Sequence, residues 1–157
     1  PVMERYWHLD GGDKSVFVEK SPPNTCRAAR IWEYWSERGD TYFLSSIRNP
    51  YAVRYGPRWW ITFAEYVKWN RENLPNLVHL NYEDWTGSIE SSCSLILEKI
   101  PALCSLNPEA GRLPGNRDVR KAHGIRNLNR IDPRLARMRR PTLATRRDLL
   151  DYFGYRL

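Results

Sequence analysis

The sequence predicts an α/β fold, a parallel sheet flanked by helices, on three observations. Short runs rich in β-branched and aromatic residues alternate with longer stretches whose apolar residues recur near the helical period. Prolines and glycines punctuate the junctions. The chain has 157 residues, 41% hydrophobic and 13% aromatic, enough for a single domain with a core of its own. Strands joined by helical crossovers pair in parallel, and parallel sheets carry their chemistry at the C-terminal ends of the strands.

Residues 1–15 read as an irregular lead-in ending in the turn-forming Asp10-Gly11-Gly12-Asp13. Ser15-Val16-Phe17-Val18-Glu19 is short, β-branched and aromatic, and reads as a first strand, stopped by Pro22-Pro23. Asn24 is the expected N-cap of a helix to about Arg38, closed by Gly39. Tyr42–Ile47 reads as the second strand, ending at Arg48-Asn49-Pro50. A helix is expected from Pro57 to about Asn73, its apolar stripe supplied by Trp59, Trp60, Phe63, Ala64 and Val67, with both tryptophans serving packing. Leu77–Asn81 is the third strand, leading into Tyr82-Glu83-Asp84. Ile89, Cys93, Ile96, Leu97 and Ile100 share one face of a helix that Pro101 ends. Residues 105–125, with Pro108, Gly111, Pro114, Gly115 and Gly124, predict a long loop, and a final helix is expected from Thr142 to about Phe153 with Gly154 at its end. The whole chain, 1–157, is thus one α/β domain: a body over 16–104, then a basic loop and C-terminal helix over 105–157.

Charge is unevenly spread. From Arg112 to Arg147 there are twelve basic residues against two acidic ones, a net +10, so the rest of the chain carries −3 of the total +7. That segment suits a polyanionic or phosphorylated partner, or forms a solvated arginine-rich surface. Arginine outnumbers lysine twenty to five, which favours bidentate contact with oxyanions. No apolar run approaches the roughly 20 residues of a membrane span. Three cysteines are too few for a disulfide scaffold; Cys93 and Cys104 bracket a helix end and read as a disulfide or as buried thiols. No cysteine or histidine spacing argues for a metal site.

Two junctions sit where a parallel sheet puts function. Lys20 stands at the end of the first strand, just before a helix N-terminus that gathers unpaired backbone donors, so an anionic group would be bound there. Arg48 ends the second strand and offers a planar fork of donors to phosphate or sulfate, or an ion pair to Glu19 or another carboxylate. Ser21, Pro22 and Asn24 flank Lys20 and, with Tyr82 after the third strand, are the candidate substrate contacts; Glu83 and Asp84 read as mainly structural.

Taken in order, Val18-Glu19-Lys20-Ser21-Pro22-Pro23-Asn24, Phe43-Leu44-Ser45-Ser46-Ile47-Arg48-Asn49-Pro50, Leu80-Asn81-Tyr82-Glu83-Asp84-Trp85 and Tyr152-Phe153-Gly154-Tyr155 resemble the sulfotransferase family. More narrowly, the chain is similar to the branch of protein-tyrosine and carbohydrate sulfotransferases. The resemblance implies transfer of a sulfuryl group from 3'-phosphoadenosine 5'-phosphosulfate to a hydroxyl or amine acceptor. It assigns Arg48 to the donor's 3'-phosphate, together with a serine eight residues later; that position is Gly56 here. Lys20 matches the lysine beside the sulfuryl group, where it stabilises charge on the bridging oxygen. A late basic loop completes the family's 3'-phosphate site, and Arg112, Arg117, Arg120 and Lys121 are the candidates for it.

The family also opens with a strand and a Gly-Thr/Ser-rich loop that cradles the 5'-phosphosulfate, followed by a Glu or His base. The fifteen residues before Val16 contain no such loop, and His8 has none beside it. The chain is therefore expected to be the C-terminal portion of a sulfotransferase fold, lacking its phosphate-loop strand, with little or no activity by itself. The rival expectation is a non-catalytic module that uses the 112–147 segment to hold a sulfated glycan or nucleic acid. That segment lacks the interleaved aromatics of a nucleic-acid surface.

Overall fold

A computed structural model describes residues 16, 18–53, 55–103 and 131–156. Its centre is a parallel pair of strands, β1 (Phe43–Ile47) and β2 (Leu77–Asn81), with Leu44 beside Val78 and Ile47 beside Asn81. A helix before them, α1 (Ala28–Trp35), is entered through a 3-10 turn, Pro22–Arg27. The crossover helix α2 (Pro57–Asn73) joins the strands, and α3 (Tyr82–Gly87) and α4 (Ile89–Lys99) follow β2. A short 3-10 turn, Pro101–Leu103, ends that run; α5 (Pro133–Ala144) and α6 (Arg147–Tyr152) complete the described chain. No helix among the described residues is long and apolar enough to cross a membrane.

Local chemistry accounts for these boundaries. Pro57 occupies the first turn of α2, where its missing N–H costs nothing, and Trp60, Ala64, Val67 and Asn70 recur at helical spacing on the buried side. Ser88 caps α4 by accepting the Ser91 N–H, and Asp132 caps α5 by accepting those of Arg134 and Leu135. Gly154 closes α6 at φ +75°, a left-handed conformation that glycine adopts without strain.

Because side chains alternate along a strand, the sheet has two different faces. Ile47, Ser45 and His79 face α2 and the C-terminal helices. There Ile47, Tyr51, Trp60, Ala64, Val67, Leu143, Leu149, Leu150, Phe153 and Tyr155 form one buried cluster. On the other face Val78 and Leu80 pack with Ile96 and Ile100 of the α4 side, while Leu44 is 52% exposed.

Four expectations are corrected. Val16, Val18 and Glu19 belong to no strand, and Val18 is 75% exposed: β-branched residues favour a strand only where a neighbour completes the ladder. The described sheet is accordingly two-stranded. Asn24 is not an N-cap but the third residue of the 3-10 turn, which Pro22-Pro23 opens, and its amide donates to Glu19. The last helical region starts nine residues early and is broken in two: α5 runs through the exposed Pro141, and a turn at Thr145-Arg146 separates it from α6. Of the tryptophan pair, Trp60 is buried, but Trp59 is half exposed and stacks on Phe63 with centroids 5.3 Å apart. The other paired expectations stand on firmer ground: α2 and β2 have the boundaries the sequence predicts. Cys93 is a buried free thiol. The lead-in, the 105–125 loop and Cys104 lie outside the described residues.

Candidate functional site at the end of β1

β1 ends at the buried Ile47, and the chain turns at once through Arg48-Asn49-Pro50. Asn49 builds the turn locally: its side-chain oxygen accepts the Tyr51 N–H at 2.9 Å, and its carbonyl accepts the Ala52 N–H at 2.9 Å. Three other elements then fix it. The indole N–H of Trp60 on α2 donates to the Arg48 carbonyl at 2.7 Å. From α5, Arg139 donates through Nη1 to the carbonyls of Pro50 and Val53, each at 2.8 Å. Glu83 of α3 accepts the Asn49 N–H at 2.9 Å with one oxygen and the Tyr155 hydroxyl at 2.8 Å with the other.

Tyr155 is thus a bolt through the middle of the site. Its oxygen also lies 3.2 Å from the Ile47 carbonyl, a second and longer acceptor for its single proton. Burial pushes the phenol's pKa well above its ordinary value, and the hydrogen bond to Glu83 pushes it the same way, so it stays a donor at any physiological pH. Asn81, at the end of β2, donates to the Phe153 carbonyl at 3.1 Å and ties the same C-terminal segment to the neighbouring strand.

This frame presents Arg48. The guanidinium lies over the Tyr82 ring, 4.8 Å from its centroid, and both side chains are partly exposed. Such a stack is worth about 0.5–1 kcal/mol and, more usefully, restricts the long side chain to one orientation. Arg48 and Tyr82 are therefore brought together as a pair. Gly56, eight residues on, is the N-cap of α2; it has extended backbone, φ −67° and ψ 159°, no side-chain cap, and open space where a Cβ would stand.

Lys20 is placed differently. It is exposed, outside any regular element, and no hydrogen bond, ion pair or ring contact joins it to Arg48. Ser21 precedes the 3-10 turn, with its carbonyl accepting the Asn24 N–H at 3.0 Å, and Pro22 opens it. That turn is anchored to the far end of α2, where the buried Asn70 donates to the Thr25 carbonyl at 2.8 Å. Asn70 and Trp60 are ten residues apart, about 15 Å along the helix axis. Arg112, Arg117, Arg120 and Lys121 lie outside the described residues.

His79, partly buried, lies near this end of the sheet on its thicker side. Its Nδ1 lies 2.8 Å from Ser45 Oγ and its Nε2 3.2 Å from Asn81 Oδ1. Burial, and then the Arg71 charge, lower its pKa to about 4, against weaker upward pulls from Asn81 and Asp84, so the ring is neutral at pH 7. Among the described residues no group of three or more His, Cys, Asp or Glu could hold a metal ion.

Reading by charge and motif gives no structural role to Arg139 or to Tyr155, although the latter belongs to the Tyr152-Phe153-Gly154-Tyr155 motif. Arg139 lies within the basic 112–147 run, which reads as polyanion-binding or as a solvated surface, yet it stands four residues before the buried Leu143 and shares its helix face. The Asp132-Pro133 start signal was the clue that would have set that phase. Comparison with protein-family models, curated proteins and solved structures finds no match.

Proposed function

We propose that the chain carries the 3'-phosphate side of a sulfuryl-transfer site whose donor is 3'-phosphoadenosine 5'-phosphosulfate. What supports this is the Arg48 guanidinium, held over Tyr82 at the C-terminal end of a parallel strand by a loop pinned from three sides. A guanidinium fixed there costs little further entropy when it meets a phosphate. On this reading the two strands belong to the sheet of a phosphate-loop, sulfotransferase-type fold, and the open N-cap of α2 at Gly56 faces the same group with backbone donors alone. In the reaction the bond from sulfur to the bridging phosphate oxygen breaks, a bond to the acceptor's oxygen or nitrogen forms, and the acceptor's proton passes to a base. Lys20 is the residue that would stand beside the sulfuryl group.

Calorimetric titration with adenosine 3',5'-bisphosphate tests this. Arg48→Ala should weaken binding at least tenfold, and Tyr82→Ala by a smaller factor as the arginine loses its platform. Nucleotide binding that is absent, or indifferent to Arg48→Ala, together with heparin retention that depends on the arginines of α5, would move the assignment to a polyanion-binding module.

A further inference from the structure

A cavity of about 430 Å³ opens where the loop after β1 meets the start of α5, a size suited to a small organic ligand. Its lining is mostly apolar, with Tyr51, Ile131 and Ala136 contributing, and Arg137, Arg140 and Arg156 also line it. The contrast with their neighbours is sharp. Arg139 is buried against two carbonyls, Arg146 pairs with Glu65 and Asp148, and Arg147 faces Asp151 at 3.7 Å. Among the described residues Arg137, Arg140 and Arg156 make no ion pair and no side-chain hydrogen bond. The Tyr51 hydroxyl is buried and has no hydrogen-bond partner either, an unusual condition for a phenol in a core.

Three like charges around one concavity repel each other, and the repulsion is relieved by an anion between them. The apolar lining rejects a fully hydrated ion and favours one attached to a flat or aliphatic body. We propose that this cavity is a binding site for a small organic anion: an aryl or short acyl group bearing a phosphate, sulfate or carboxylate. Arg137, Arg140 and Arg156 hold the charged end, and Tyr51, Ile131 and Ala136 pack against the body. Arg48 is not part of the lining, so the site is separate from the one proposed for the nucleotide.

Titration with 1-naphthyl phosphate, beside 1-naphthol and inorganic phosphate, tests both halves of this chemistry. The aryl phosphate should bind at least tenfold more tightly than either fragment. The double variant Arg137→Gln/Arg140→Gln should weaken it at least tenfold, with circular dichroism unchanged, since both side chains are exposed. Ala136→Trp should block the cavity and abolish binding. Undiminished affinity in the double variant overturns the proposal. So does competition by adenosine 3',5'-bisphosphate that is lost in Arg48→Ala, because the cavity would then belong to the nucleotide site, and so does inorganic phosphate binding as tightly as its aryl ester.

Discussion

The two faces of the sheet are built to different standards. Toward α2, α5 and α6, a cluster of ten buried residues is crossed by polar ties from Trp60, Arg139, Glu83 and Tyr155. Toward α4, the buried cluster among the described residues has four members, all contributed by β2 and the end of the α4 segment, while Leu44 on β1 is half exposed. A parallel sheet is ordinarily covered on both sides, so a thin face marks structure that contributes little rigidity. The thick face supports the end of β1, where the chain presents Arg48. Precision at a site comes from the layer behind it, and here that layer is asymmetric.

Truncation tests the difference directly. Leu149 is fully buried in the thick face, and Leu149→Ala should cost about 3–5 kcal/mol, near the upper end for leucine deletions. Ile100→Ala, at the rim of the thin face and 6% exposed, should cost nearer about 2 kcal/mol. Urea denaturation measures both. Equal losses would mean that the two faces stabilise the sheet alike and that the asymmetry is only one of area.

A smaller effect comes from pH, acting on the thick face alone. His79 is neutral when folded, with its pKa lowered to about 4, and titrates near 6.5 when unfolded. Between those values the unfolded chain binds more protons, so stability rises with pH there. It is fully present above about pH 6.5 and is lost as the pH falls toward 4. Arg71, Asn81 and Asp84 are the groups that face the ring and set the shift. The ring is partly exposed, which reduces the expected loss to about 1–2 kcal/mol between pH 7 and pH 4.5. His79→Gln should flatten the denaturation midpoint across that range. A midpoint that falls as steeply in the variant would assign the acid sensitivity to groups other than His79.

How much of this was legible beforehand follows from where each interaction is encoded. α2 and β2 were readable to the residue because their signals are local: a proline at a helix start, apolar spacing, a bounded β-branched run. Arg48 was readable as a strand-end cation for the same reason. The strand expected at Ser15–Glu19 failed because a strand is a property of pairs, and the run carries no record of its partner. Likewise nothing near Arg139 or Tyr155 announces a carbonyl 89 or a strand end 108 residues away in sequence. The start of α5 was missed for a different reason: twelve basic residues between Arg112 and Arg147 obscure its apolar phase, and the helix carries Pro141 on its exposed side.

The smallest effect separates scaffold from site. Gly56 caps α2 without a side chain, yet its backbone, at φ −67° and ψ 159°, is one that any residue adopts. A Cβ there meets nothing within 4 Å. In Gly56→Ser the new hydroxyl can accept an N–H of the first turn, and serine also narrows the unfolded ensemble relative to glycine. The gain should be about 0.5 kcal/mol, or roughly 1–2 °C in Tm. If the loop behind Arg48 is already rigid, the same hydroxyl adds a phosphate contact at no cost in order, and adenosine 3',5'-bisphosphate should bind severalfold more tightly. A higher Tm with unchanged nucleotide affinity would leave the α2 N-terminus as scaffold only, with Arg48 and Tyr82 facing the phosphate without its help.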